Sequence, residues 1–432
     1  MDNVKTMIDE NWTAFLADLQ KVMRVPSVKG KSAEKAPYGI NPRQVLTLVM
    51  ELGESYGFST KVINDAIGYI QWGTDPDYIG ILGHLDVVPA GEGWDYPPFD
   101  LTESDGILYG RGILDNKGPI MSCLYSLKLL KDSGFQPSKT IRIIFGTDEE
   151  SGMSDVSHYL QAEEPPIFGF TPDCKYPVVY GERGIVNINI ITTFEPEELA
   201  SMGEIRGDQA RDHVPDNLSV LIQSSPIRVT GKRAPSNAPE MGENAITLLA
   251  KKIKDDLRLS SSVRSYFDWL FTSFHGKHFG EGIDLALQDK DSGRLILTPV
   301  VFSKQKDHLQ LEIAFRYPVS FQEEDIVAGI KAAIPEHSQI EVVRSIPGIN
   351  LDKERPEIKS LSAVYQKITG NDGTPVTTTG ATYARKLPNI VAFGPSFPGQ
   401  KGIAHNKNEW MSVSDLKMNM EIYLESIIAL LS

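Results

Sequence analysis

Cysteine is scarce in this chain. Cys123 and Cys174 are the only two in 432 residues, and they form no Cys-x-x-Cys pair, which excludes a disulfide framework and fits a reducing compartment. Long apolar runs are missing as well. Nothing approaches the roughly eighteen consecutive apolar residues of a membrane-spanning helix. The opening MDNVKTMIDENWTAFLADLQKVM carries charges at helical intervals where a signal peptide has an unbroken apolar region. A cytoplasmic location is the expectation. No run of Lys and Arg exceeds two, and 43 basic against 57 acidic residues leave a net charge of −14. That balance argues against nucleic acid or an anionic membrane as a partner. Low-complexity tracts and fixed-period repeats are absent too.

What is present is an ordinary globular composition, 41% hydrophobic and 23% charged, enough for a large core and more than one folding unit. Ile8, Trp12, Phe15, Leu16, Leu19 and Met23 recur at three- and four-residue steps, which predicts an amphipathic helix that ends before Pro26 and packs on a sheet. A second helix is expected over PRQVLTLVMELGESYGF, ending at Gly57. YIGILGHLD then reads as a buried strand, PIMSCLYSLKLLKDSG as a helix and TIRIIFGTDEE as a strand. This alternation predicts an α/β sheet covered by helices. The pattern changes after GERG. Over 185–348, Leu309, Leu311, Ile313 and Phe315 alternate with Gln310, Glu312, Ala314 and Arg316, the period of a sheet with one buried face. We read 185–348 as an inserted α+β domain, and 1–184 with 349–432 as the first domain resumed.

Three fragments place ligand-type side chains at the carboxyl ends of expected strands, where open α/β sheets build their sites. In GHLDVVP, His84 and Asp86 are two apart and point to one face, so the acid can hold the imidazole's free N–H. GRGILDNKGP puts Asp115 in a glycine-rich turn before a helix, where it can serve an ion or merely cap the helix. TDEESG offers adjacent carboxylates, Glu149 and Glu150, whose side chains diverge. One can bind metal while the other faces substrate. Asp173 in FTPDCKYP and His405 in GIAHNKNEW complete a set of two histidines and several acids that suits paired zinc, cobalt or manganese ions. GESYG around Ser55 matches a nucleophile elbow only in letters, because it lies inside a helical run. His275 and His278 in FHGKHFG have no carboxylate pair nearby in sequence.

In this order HLDVVP, GRGILDNKGP, TDEESG, TPDCKYP and AHNKNE resemble the co-catalytic zinc peptidases related to aminoacylase, carnosinase and carboxypeptidase G, and within them the PepV-type dipeptidases. The resemblance spans nearly the whole chain. It implies a phosphorylase/hydrolase-like catalytic domain with a mixed sheet, plus an inserted α+β lid domain. It also implies two divalent metal ions, zinc with manganese or cobalt as alternatives, bridged by Asp115. His84 and Asp173 would then hold one ion, and Glu150 and His405 the other. Asp86 would orient His84, and Glu149 would act as general base on the water between the metals. Aspartate at position 173 is similar to the aminopeptidase and dipeptidase branch, which implies a small peptide substrate with a free amino terminus. Arg316 and the loop at Gly380 match positions that hold the substrate carboxylate. The long lid resembles one that imitates a partner subunit, which implies a monomer.

The resemblance fails at two places. Where relatives have a lid histidine, GKRAPSNAP has Pro235, and the phrase usually written NMVPD stands here as DHVPD, with Asp212 and His213. His213 is the candidate substrate contact left in the lid. The readings that compete with a dipeptidase are an N-acyl amino acid amidohydrolase and a non-catalytic metal-binding relative with a degenerate lid.

Overall fold

The central strand is Tyr78–His84, buried at every position, as expected of a strand covered on both faces. In the computed structural model, which describes residues 2–432, it lies parallel to Thr140–Gly146 on one side and to Phe168–Thr171 on the other. Ile390–Ala392 continues the parallel core beyond Phe168–Thr171. Ile67–Trp72 and Ser59–Ile63 extend the other flank antiparallel. The result is a mixed sheet. Three neighbouring parallel strands end on the same side, with His84 level with Gly146. The chain runs from there directly into Glu149 and Glu150, and from Thr171 into Asp173.

Helix Lys117–Asp132 is buried almost all round and lies between the sheet and two further helices, Asp2–Met23 and Val413–Leu431. The amino-terminal helix therefore packs chiefly on other helices and not, as its periodicity suggested, on the sheet. Phe15 meets Tyr125 edge-on, with ring centroids 5.3 Å apart, and the Lys117 ammonium donates to the carbonyls of Val22 and Val25. An apolar stripe says that a face is buried, not what covers it. Helix Ile40–Ser55 ends at the serine of GESYG, whose hydroxyl donates to the Leu52 carbonyl. That position is a helix end with no strand before it, so it is no nucleophile elbow.

The chain divides into two units. One comprises residues up to Tyr180, Leu351–Val376 and Gly380–Ser432, and the other Gly181–Asn350 with Thr377–Thr379. These limits differ by a few residues from 185–348 for a physical reason. Gly181–Glu182 pairs with Ile349–Asn350, and the Arg183 amide and Arg316 guanidinium donate to the carbonyls of Thr378 and Thr379.

The second unit is built on a four-stranded antiparallel sheet in the order Ile296–Lys304, His308–Tyr317, Gly184–Thr193, Ser338–Ile346. Leu309, Leu311, Ile313 and Phe315 are fully buried in its core, which includes residues of the helices Ala245–Ile253, Ser261–Phe274 and Glu323–Ala333. The opposite face is not simply solvated. Glu312 is buried there, accepting from Asn187 Nδ2 at 3.0 Å and from Arg211 Nε at 2.5 Å. Strict alternation cannot distinguish a wet face from one covered by a polar network.

Candidate metal centre

His84 closes the central strand and is fully buried. Its Nδ1 lies 2.9 Å from the backbone carbonyl of Asp86, which can only accept, so Nδ1 carries a proton and Nε2 is the nitrogen available to an ion. That Nε2 is 2.9 Å from Asp115 Oδ1 and 3.7 Å from Asp173 Oδ2. His405 Nε2 is 3.1 Å from Asp115 Oδ2 and 3.0 Å from Glu150 Oε2. Asp115 thus presents one oxygen to each imidazole. Asp173 lies on the His84 side and Glu150 on the His405 side.

Asp115 reaches this place on a tight loop. Gly112 has φ +95°, and a Cβ there would sit 3.0 Å from Val87 Cγ1. The helix N-cap position belongs to Asn116, so Asp115 is not the cap that its sequence position also allowed. Asn116 accepts from the His84 amide and donates to the Pro172 carbonyl, tying the loop to the two strand ends that carry His84 and Asp173. The Asp115–Asn116 peptide is cis.

Glu149 and Glu150 begin a short turn, Glu149–Ser151. Asp86 holds that turn through its carboxylate: Oδ1 accepts from the Glu149 amide at 3.2 Å and Oδ2 from the Glu150 amide at 3.1 Å. Asp86 therefore contacts His84 through its carbonyl more closely than through its carboxylate, which lies 3.5 Å from Nδ1. Atoms able to bind an ion on His84, Glu149 and Asp173 lie within 4.8 Å of one another, as do those of His84, Asp115 and Glu150.

The charges show what this cluster wants. Burial, then the Asp115 charge, push the Asp173 carboxyl up to about 7, and burial with the Asp173 charge pushes Glu149 well above the usual carboxylate range. Hydrogen bonds to Asp115 and Glu150 raise His405 to about 10. Burial opposes protonation of His84, yet Asp173, Asp115 and Asp86 outweigh it and carry the imidazole well above its ordinary value. Carboxylates this close cannot share a buried site without positive charge among them. Two imidazoles drawn toward protonation supply it here, and divalent cations displacing those protons supply it better. The donor set fits paired ions.

The remaining candidates lie elsewhere in the chain. Arg316 is the penultimate residue of its strand in the second unit and donates to the Thr379 carbonyl at 2.7 Å. His213, in the same unit, forms a β-bridge with Pro235 and lies 2.7 Å from Asp212 Oδ1 through Nδ1. Gly380 belongs to the first unit, and its carbonyl accepts from Arg385 at 2.7 Å. His275 uses Nδ1 on the Thr247 hydroxyl. Asp155 and Tyr383 lie outside the motifs read from the sequence. Asp155 Oδ2 accepts from the Thr147 amide and the Tyr383 hydroxyl, and the Tyr383 ring meets His84 edge-on at 6.3 Å. The tyrosine within GATYAR was the available signal.

Residues 80–429 match the profile of Peptidase family M20/M25/M40. The chain belongs to this peptidase family. The Bacillus subtilis protein named "Putative dipeptidase YtjP" is 31% identical over 448 aligned residues, covering 96% of both chains. Aminoacylhistidine dipeptidase from Vibrio alginolyticus superposes with a TM-score of 0.61 at 13% identity over 96% of each chain. Bacillus subtilis YXEP, described as a dinuclear metal binding peptidase from the M20 family, gives 0.54 at 12% identity over 97% of this chain and 99% of its own. At these identities the likeness to the solved structures is one of fold. In this M20 chain, no helix among the described residues is long and apolar enough to cross a membrane.

Proposed function

We propose that this chain is a metal-dependent dipeptidase that cleaves dipeptides with a free amino terminus. The observation that carries the reading is Asp115, whose two carboxylate oxygens face two different imidazoles. Asp115 would bridge two divalent cations, zinc in the first instance, with His84 and Asp173 completing one and Glu150 and His405 the other. Bound there, the pair would acidify a water and polarise the scissile carbonyl. The chain's own residues do the rest. Glu149 takes the proton of the attacking water on a carboxylate oxygen and returns it to the leaving amine. Asp86 fixes the His84 tautomer and the turn that presents Glu149. Arg316, a planar fork, suits the substrate carboxylate, and the Gly380 loop offers backbone groups to the same end. A cytoplasmic location fits a chain with two cysteines and no Cys-x-x-Cys pair.

The test is a panel of dipeptides, tripeptides and N-acetyl amino acids supplied to the metal-replete protein. Release of amino acids from dipeptides is the expected result. Release of acetate identifies an amidohydrolase, and bound metal without any turnover identifies a binding protein.

Two expectations accompany this reading. The lid would supply what a partner subunit contributes, so light scattering at micromolar concentration should give one chain of 47.8 kDa. A stable dimer that loses activity on dilution contradicts this. In the lid, Pro235 has no N–H to donate, and its bridge partner is His213. If His213 donates to the developing oxyanion, His213→Ala lowers kcat on the best dipeptide by about 10² to 10³. Unchanged kinetics remove His213 from the reaction and leave the metal centre untouched.

A further inference from the structure

Behind the carboxylates lies a buried ion pair that the proposed chemistry does not use. Arg111 Nη1 donates to Glu409 Oε2 at 2.7 Å, and the two side chains are 1% and 0% exposed. A buried pair stabilises a fold only when its remaining donors and acceptors are also used. Here Arg111 Nε has no hydrogen-bond partner, while Arg111 Nη2 and Glu409 Oε1 are used on the backbone of the candidate ligand segments. Glu409 Oε1 accepts from the amides of Gly112, Leu114 and Asp115 at 3.1, 2.9 and 3.1 Å. Arg111 Nη2 lies 3.4 Å from each of the carbonyls of Pro89, Ala90 and His405. The guanidinium also faces the Trp94 ring, 5.2 Å from its centroid.

One pair therefore reaches the loop that presents Asp115, the backbone of His405 itself, and the segment that follows His84 and Asp86. His405 has the additional feature of a left-handed backbone, φ +63°, a conformation that persists in a non-glycine residue only where its surroundings impose it. The short pairing of Ile107–Tyr109 with Trp410–Ser412 brings the two loops side by side, but it stops short of both candidate ligands.

We propose that Arg111 and Glu409 are positioning residues that set the backbones of Asp115 and His405 against each other, so that affinity for the paired metal ions depends on a side-chain pair that ligates neither. The inference rests on the metal-centre reading above. The geometry requires the two members to act differently. Glu409→Gln has a single carbonyl oxygen, so it can serve the three amides only with its NH₂ turned against the guanidinium. Arg111→Met leaves the Glu409 carboxylate buried and uncompensated, and frees the His405 carbonyl.

The experiment titrates chelator-stripped, full-length protein with Zn²⁺ and with Mn²⁺ by calorimetry, and records melting temperatures of the metal-free proteins in parallel. Outer residues that orient ligands typically change metal affinity by about 10- to 100-fold. Glu409→Gln and Arg111→Met should therefore bind at least about tenfold more weakly than wild type. Arg111→Lys, which keeps the charge without the fork, should recover part of the loss. The control is Arg142→Met. Its Arg142–Glu163 pair is a partly buried ion pair in the same unit, with 11% and 12% exposure, and neither residue touches a candidate ligand. It should lower the melting temperature and leave metal affinity unchanged.

Wild-type metal affinity in folded Glu409→Gln and Arg111→Met overturns the proposal, as does equal weakening by Arg142→Met at a matched loss of melting temperature. If Arg111→Met does not fold, the decision passes to Arg111→Lys, where wild-type affinity again overturns it. Wild-type protein that binds neither ion overturns the metal-centre reading itself, which is a distinct result.

Discussion

Glu149→Gln should lower dipeptide turnover by about 10² to 10⁴ while the protein keeps its full complement of metal, and Glu150→Gln should lose metal. The two residues are neighbours whose amides are held by the two oxygens of one carboxylate, Asp86. The turn they begin sends their side chains apart. Glu150 Oε2 meets the His405 imidazole at 3.0 Å, which is where a ligand to the second ion belongs. Glu149 lies among His84 and Asp173, and burial with the Asp173 charge favours its protonated form. A group that must accept a proton and give it back works best when neither state is strongly disfavoured. Glutamine keeps the shape and removes the basicity. Metal content by elemental analysis, measured beside kcat in both variants, decides the matter. Loss of metal from Glu149→Gln would make that residue a ligand and move the base elsewhere.

The candidate metal ligands are legible in the sequence because their chemistry is local. His84, Glu149, Glu150 and Asp173 follow the ends of strands, and buried strands announce themselves as continuous apolar runs. Three adjacent parallel strands then bring those ends together without further specification. The supporting residues were not legible in the same way. Glu409 stands in the motif AHNKNE and Arg111 in GRGILD, yet their pairing joins positions 298 apart in the chain, and nothing in the local pattern of either says where the other falls. Asn116 hides similarly beside Asp115. Its side chain serves the His84 amide and the Pro172 carbonyl, contacts that exist only once the strands are paired. The first helix illustrates the converse limit. Its apolar face was evident from Phe15 and Leu19, but its neighbours are helices because Lys117–Asp132 covers that side of the sheet.

Asp86 should prove nearly as consequential as the candidate ligands themselves. The side chain is fully buried and its oxygens satisfy the amides of Glu149 and Glu150, so Asp86→Ala leaves two N–H groups without their acceptor. Each such loss costs about 1–3 kcal/mol, and the turn can recover the bonds only by moving. Moving it displaces Glu150 from His405 and Glu149 from the position where the attacking water would stand. We therefore expect Asp86→Ala to weaken metal binding by about 10- to 100-fold and to lower kcat further than the metal deficit explains, so that saturating metal restores only part of the rate. Asp86→Asn separates the two duties. Its carbonyl oxygen can still serve one amide, but its NH₂ opposes the other donor, while the backbone carbonyl that fixes the His84 tautomer at 2.9 Å is unaltered. The asparagine variant should thus retain more metal affinity than the alanine variant and still show a reduced kcat. Chelator competition and kcat at saturating metal measure the two effects. If Asp86→Ala lowers only the melting temperature, with metal affinity and kcat unchanged, the carboxylate is a fold contact and the turn is held by other means.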